Sequence, residues 1–97
     1  LTSVATKITM NGGAVTDFIG TGVLTLGTVT IANTNIAAGD RIFFSRIATN
    51  GSATLGEYTY AINAATNFIV TSVILGTPAS TQTADVSSFA YFIIRQT

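Results

Sequence analysis

Apolar and polar residues alternate along much of this chain with a period of two, and residues that turn the backbone interrupt the alternation at short intervals. Thr28-Val29-Thr30-Ile31 and Tyr58-Thr59-Tyr60-Ala61-Ile62 place apolar groups on one face and small polar groups on the other. Val4-Ala5-Thr6-Lys7-Ile8-Thr9-Met10 is a weaker version of the same pattern. Successive side chains of a strand point to opposite faces, so each run reads as a half-buried antiparallel strand, and no stretch carries a convincing helical period. The interruptions are Asn11-Gly12-Gly13, Gly20-Thr21-Gly22, Gly27, Asn33-Thr34-Asn35, Ala38-Gly39-Asp40, Asn50-Gly51 and Gly76-Thr77-Pro78. Each supplies a residue tolerant of positive φ or a proline-fixed φ, the chemistry of a turn. The pattern predicts an all-β fold, a small antiparallel β-sandwich or jelly roll of about seven or eight strands. A chain of 97 residues suits one core, so residues 1–97 read as a single domain, with 1–19 an N-terminal strand segment and 20–97 the core sandwich.

Two strands break the rule. Arg41-Ile42-Phe43-Phe44-Ser45-Arg46-Ile47 and Phe89-Ala90-Tyr91-Phe92-Ile93-Ile94-Arg95 carry bulky apolar groups on both faces. Such a strand is a central one covered on both sides, a sheet edge tucked under a loop, or one that packs a face against another subunit. A two-sheet sandwich buries only one face of each sheet, so the subunit interface is the favoured expectation. Ile42, Phe43, Phe44, Ile47, Phe89, Tyr91, Phe92, Ile93 and Ile94 are therefore the candidate core or subunit-interface residues, the division between the two roles being open at this point. Residues 76–88 form the longest polar stretch and read as a surface loop, in which Thr77, Pro78, Ser80, Thr81, Gln82 and Thr83 are candidate contact residues.

The residue inventory excludes much chemistry. Histidine and cysteine are absent, which removes the commonest general base, the Ser-His-Asp arrangement, disulfides and zinc-thiolate sites. Charged residues make up 8% of the chain, against roughly 25% in an average soluble domain, and they balance. The surface coat must then be Thr, Ser and Asn, and threonine suits exposed strand positions. The four carboxylates, Asp17, Asp40, Glu57 and Asp85, are scattered and read as solvated turn or rim residues, not as a facing catalytic pair. No calcium-loop pattern occurs, and the basic residues are too few for nucleic acid. No apolar run approaches a membrane span. Gly20-Thr21-Gly22 reads as a turn in preference to a fragment of a phosphate loop, and Asn50-Gly51-Ser52 as a turn in preference to a glycosylation acceptor. Tyr58, Tyr60 and Tyr91 offer the faces of a sugar-stacking platform, but alternation puts Tyr58 and Tyr60 beside Ile62 as ordinary core. No enzyme activity, cofactor or metal is expected.

The order of the segments carries a resemblance. Gly22-Val23-Leu24-Thr25-Leu26-Gly27-Thr28-Val29-Thr30-Ile31-Ala32-Asn33-Thr34 leads into Ile36-Ala37-Ala38-Gly39-Asp40-Arg41-Ile42-Phe43-Phe44. Thr66-Asn67-Phe68-Ile69-Val70-Thr71-Ser72, Asp85-Val86-Ser87-Ser88 and Tyr91-Phe92-Ile93-Ile94-Arg95 follow. Over residues 20–95 this resembles a β-sandwich module of tailed-bacteriophage virion proteins, found at the C-terminal end of tail fibres and tailspikes and, in related forms, as capsid decoration proteins. The resemblance implies a non-enzymatic virion component on the outer surface of the phage tail or capsid, a homotrimer that contacts other virion proteins, and no nucleic-acid or membrane partner. A trimerising module of a tail fibre or tailspike is the first reading, a decoration (cement or head-fibre) protein of the shell the second, and a receptor tip that binds a host surface glycan the third. The start at Leu1 fits a trimmed or excised piece of a longer polypeptide.

Overall fold

A computed structural model describes residues 18–76 and 78–95, and among these residues the chain forms seven strands and no helix. They are β1 Ile19–Val23, β2 Thr28–Ala32, β3 Arg41–Ala48, β4 Glu57–Asn63, β5 Asn67–Ile74, β6 Ser80–Thr81 and β7 Ser88–Ile94. The expected strand at Val4–Met10, the turn at Asn11–Gly13, Lys7, Asp17 and Thr77 lie outside the described residues. Two antiparallel sheets result, one of order β1-β7-β3 and one of order β2-β5-β4 with β6 pairing the end of β5. This is the small β-sandwich that the alternation predicts. The expected alternating runs fall on β2 and β4, and the two doubly apolar runs are β3 and β7, paired with each other in one sheet.

Pleat geometry sorts the side chains. The inner faces meet in a core of Phe18, Leu24, Ile36, Ile42, Phe68, Val70, Phe89, Tyr91 and Ile93, with Val29, Ile31, Phe44, Tyr58 and Ile62 packed against it. Rings interlock across the two sheets: Tyr58 stands 5.6 Å from Phe44 and 5.3 Å from Phe89, and Tyr91 lies edge-on to Phe68 at 5.1 Å. Tyr60 departs from expectation. It lies in the inward row of β4, but β4 ends its sheet, and the ring is 38% exposed at the open side of the sandwich.

Turns obey the sequence in most places. Leu26 and Gly27 both take positive φ (52° and 81°), closing a tight turn in which Thr25 and Thr28 exchange backbone hydrogen bonds of 2.9 and 3.2 Å. Asn50 and Gly51 do the same (52° and 76°), with Ser52 N–H donating to the Thr49 carbonyl at 2.9 Å. Paired positive φ values define a type I′ turn, which asparagine and glycine adopt with least strain. The Asn50 side-chain amide then donates to the Val86 carbonyl at 3.1 Å.

Gly20-Thr21-Gly22 is not a turn; it lies inside β1, opposite Tyr91, Ala90 and Phe89 of β7. The glycines occupy the inward positions, and the two rings lie over them. A Cβ on Gly22 would stand 2.6 Å from Cζ of Phe89, so the missing side chain is the space that the ring fills. Residues 76–88 also differ from the expected loop. Ser80–Thr81 pair with β5, and Asp85 and Ser87 are fully buried, because their polar atoms find partners inside the protein.

Gly22→Ala is therefore expected to destabilise the fold by about 1–3 kcal/mol through overpacking, read as a lower urea midpoint. Thr21→Val, on the outer face of the same strand, should stay within about 0.5 kcal/mol of the parent chain. Equal effects of the two substitutions would show that the rings do not need the space.

Candidate functional site

A chain with so few charges would be expected to leave them in water, yet four of the six charged side chains among the described residues meet in two pairs, and both carboxylates are buried. Asp85 is fully buried just ahead of β7, and Asp40 is 3% exposed just ahead of β3. The reading of Asp40 and Asp85 as solvated turn or rim residues is thus overturned. Each is buried because a full set of donors surrounds it.

Around Asp85, Oδ2 accepts from the Ser72 hydroxyl at 2.6 Å, from Gly56 N–H at 3.1 Å and from Arg46 Nη2 at 3.1 Å. Oδ1 accepts from Ser87 N–H at 3.1 Å. Arg46 spends its other donors on Ser87 Oγ at 3.2 Å and the Gly56 carbonyl at 2.9 Å, with its guanidinium 4.7 Å over the Tyr58 ring. The Tyr58 hydroxyl and Ser87 Oγ share a further hydrogen bond of 2.7 Å. Because Ser72 comes from one sheet and Arg46 from the other, this cluster joins the two layers. Burial works to raise the Asp85 pKa, but the hydrogen bonds from Ser72, Ser87 and Gly56 outweigh it and hold the carboxyl well below the usual carboxylate range.

At the other end, Arg95 grips Asp40 with two parallel bonds of 3.0 Å, Nε to Oδ1 and Nη2 to Oδ2. Its Nη2 also donates to the Asn35 carbonyl, and its guanidinium lies 5.3 Å over the Phe18 ring. Asp40 Oδ2 accepts from Ala37 N–H at 2.9 Å, which ties the turn before β3. The hydrogen bonds from Arg95 lower the Asp40 pKa against the opposing effect of burial, and Asp40 in turn raises that of Arg95. Carboxylates held ionised, with their lone pairs occupied, serve poorly as general acids or bases at neutral pH. Among the described residues no three His, Cys, Asp or Glu side chains converge. These two clusters brace the fold, and the surfaces they leave free are the candidate functional sites.

The structure divides the candidate interface residues cleanly. Ile42, Phe89, Tyr91 and Ile93 are core, and Phe44 is half-buried against it. Phe43, Phe92 and Ile94 lie on the opposite, outer face of the β1-β7-β3 sheet, where Ile19 and Val23 of β1 join them, and Ile47 stands at the bulge where the β3–β7 register shifts. Register sets Ile19, Phe92 and Phe43 in one row across three strands. Phe43 is 56% and Ile47 58% exposed. A shallow, apolar hollow of about 440 Å³ lies among Ile19, Phe43, Ala90 and Phe92. The outer face of the other sheet is mixed, with Ile69 and Val73 of β5 among threonines. Thr28, Thr71 and Thr59 align across β2, β5 and β4, and Thr59 bonds the Thr71 carbonyl at 3.1 Å. Of the candidate contact loop, Pro78, Ser80, Thr81 and Thr83 are exposed, and Gln82 is half-buried with its N–H donating to the Ser72 carbonyl at 2.8 Å. Sequence reasoning missed both Asp–Arg pairs. Their signal was present: each doubly apolar strand is preceded by an aspartate and carries or is followed by an arginine.

A scan against family models matches residues 4–94 to the K1 capsule-specific polysaccharide lyase, C-terminal domain. Searches of curated proteins and of solved structures give no match.

The two aspartates make stability depend on pH with a definite sign. A carboxyl whose folded pKa is depressed binds fewer protons in the folded chain than in the unfolded one, so its stabilisation is complete above the unfolded value and is lost as pH falls through the folded one. The urea midpoint is expected to be level from neutral pH to about 5 and to fall below about pH 4. Asp85→Asn should remove about 3 kcal/mol at pH 7 and make the acid-side decline shallower. An unchanged acid slope in that variant would exclude Asp85 as its source.

Proposed function

This chain belongs to the family of K1 capsule-specific polysaccharide lyase C-terminal domains, and we propose that it is a non-enzymatic structural module of a bacteriophage tailspike or tail fibre, associating as a trimer. The observation that carries the reading is the outer face of the β1-β7-β3 sheet. Ile19, Val23, Phe43 and Ile94 stand 38–56% exposed on one side of one sheet, while the outer face of the other sheet carries threonines beside Ile69 and Val73. A contiguous apolar patch of that kind marks an interface, although Leu26, Leu55, Ile74 and Leu75 are also exposed elsewhere. Closed rotational symmetry covers such a face on every copy, where an open arrangement would leave it bare at the ends. The family is named for the C-terminal part of a polysaccharide lyase, which favours a spike directed at a capsular polysaccharide over a decoration protein of the shell. On this reading the chemistry on the polysaccharide belongs to another part of the parent, and this module holds copies together.

Light scattering on the chain at micromolar concentration is expected to give three times the 10.0 kDa chain mass. Phe43→Lys, at an exposed position, should shift the mass toward the monomer while changing monomer stability by no more than about 0.5 kcal/mol. A monomeric parent chain, or a variant that assembles like the parent, would sink the proposal.

A further inference from the structure

The apolar outer face of the β1-β7-β3 sheet is bounded by two strand edges, β1 and β3, that pair with no further strand among the described residues. The phase of the hydrogen bonds shows which groups they offer. Ile93 N–H donates to the Phe18 carbonyl at 2.7 Å, and Leu24 N–H to the Ser87 carbonyl at 3.0 Å. Gly20 and Gly22, in the same phase, turn their backbone groups toward β7, so Ile19, Thr21 and Val23 turn theirs to the free edge. On the other side of β7, Ala90, Phe92 and Ile94 face β3 and pair with Ser45, Phe43 and Arg41. Ile42 and Phe44 therefore turn their backbone groups to the second free edge. β1 reads Ile-Gly-Thr-Gly-Val, with no charge, proline or bulge to guard it.

The shape of the face and the symmetry of a trimer specify a partner for both edges. The face is concave, since its hollow of about 440 Å³ lies between Ile19, Phe43 and Phe92 with the small Ala90 among them. Neighbours around a three-fold axis meet through two different surfaces, never through one surface paired with itself. β1 and β3 are two such surfaces on opposite sides of one face. With the axis running along the strands, the β1 edge of one copy comes against the β3 edge of the next, and the concave faces turn inward. Both strands run antiparallel to β7, so each new pair is parallel. Three copies of the three-stranded sheet supply nine strands. A barrel of about eight strands is just wide enough for its own side chains to fill, and here Ile19, Phe43, Phe92 and Ile94 supply the filling.

We propose that β1 of each copy pairs with β3 of the next, closing the three sheets into one nine-stranded barrel whose interior is the apolar face. The inference rests on the trimeric reading above and adds to it the backbone contact between copies. Three faces packed as separate sheets would leave the same edges without hydrogen bonds.

Amide hydrogen exchange, followed by NMR on the isotope-labelled full chain, reads the edges one residue at a time. In the trimer, the amides of Ile19, Thr21 and Val23 and those of Ile42 and Phe44 are expected to exchange about tenfold or more slowly than in the monomeric Phe43→Lys chain. Those of Gly20 and Gly22, which face β7, should be protected in both. Thr21→Pro removes an edge N–H without touching a bond to β7, and should weaken assembly about tenfold or more relative to Thr21→Val, which keeps that N–H. If thermal unfolding shows that Thr21→Pro does not fold, exchange in the parent chain decides. Four results would each overturn the edge pairing while the trimer stands. They are edge amides that exchange equally fast in trimer and monomer, β1 protection that persists in the monomer, protection of β1 without β3, and Thr21→Pro assembling as Thr21→Val does. A monomeric parent chain would overturn both the pairing and the trimer.

Discussion

Two arginines reach across one pair of strands to two buried aspartates, and the geometry is reciprocal. Asp40 precedes β3 and Asp85 precedes β7; Arg46 lies near the end of β3 and Arg95 follows β7. Because β3 and β7 run antiparallel, each aspartate meets the other strand's arginine, one pair at each end of the ladder. Sliding the strands by one residue would part both pairs and exchange the inner and outer faces, so charge and hydrophobic pattern enforce the same register. Asp85 extends the constraint to the second sheet through Ser72 of β5 and Gly56 ahead of β4. Buried ion pairs add modest net stability and are costly to break. Here the Asp85 cluster also ties one sheet to the other at its end of the sandwich.

That arrangement explains how a strand pair can be apolar on both faces without losing its orientation. In most sheets the difference between an apolar and a polar face decides which side turns inward. β7 has Phe89, Tyr91 and Ile93 inside and Ala90, Phe92 and Ile94 outside, so hydrophobicity alone discriminates weakly between its faces. The ends decide instead. Ser87 and Asp85 find their hydrogen-bond partners Ser72, Tyr58 and Arg46 on the inner side. The same device leaves the outer face free to be apolar. The glycines of β1 contribute from the inside, since Tyr91 and Phe89 rest on Gly20 and Gly22 where any side chain would hold the rings away.

Much of the fold was legible in the alternation. β2 and β4 show a period of two, and the turns at Gly27 and Asn50-Gly51 carry the residues that positive φ favours. The doubly apolar runs could be recognised, but which of their residues face outward became visible only once Ile42 and Phe89 were placed in the core. Gly20 and Gly22 misled because glycine serves a turn and a close ring contact equally well, and only the pairing with β7 distinguishes them. Asp40 and Asp85 misled for a different reason. An aspartate beside a turn is usually solvated, and its burial depends on partners forty or more residues away for one pair and nearly as many for the other, which no local pattern reveals.

The distribution of the few charges bears directly on what the module does. A low-charge sandwich exposing isoleucine and phenylalanine on one face has little long-range repulsion to oppose self-association. With Asp40 and Asp85 bound inside, the outer face of the β1-β7-β3 sheet carries few charges among the described residues, and Arg41 lies at its margin, opposite Ile94. Desolvating an unpaired charge is among the larger penalties in forming an interface. A surface that avoids it can associate through modest apolar area, while the threonines on the outer face of the second sheet remain compatible with water. Enclosing Asp40 and Asp85 thus does two things at once: it sets the register of β3 against β7, and it leaves the outer face of that sheet apolar.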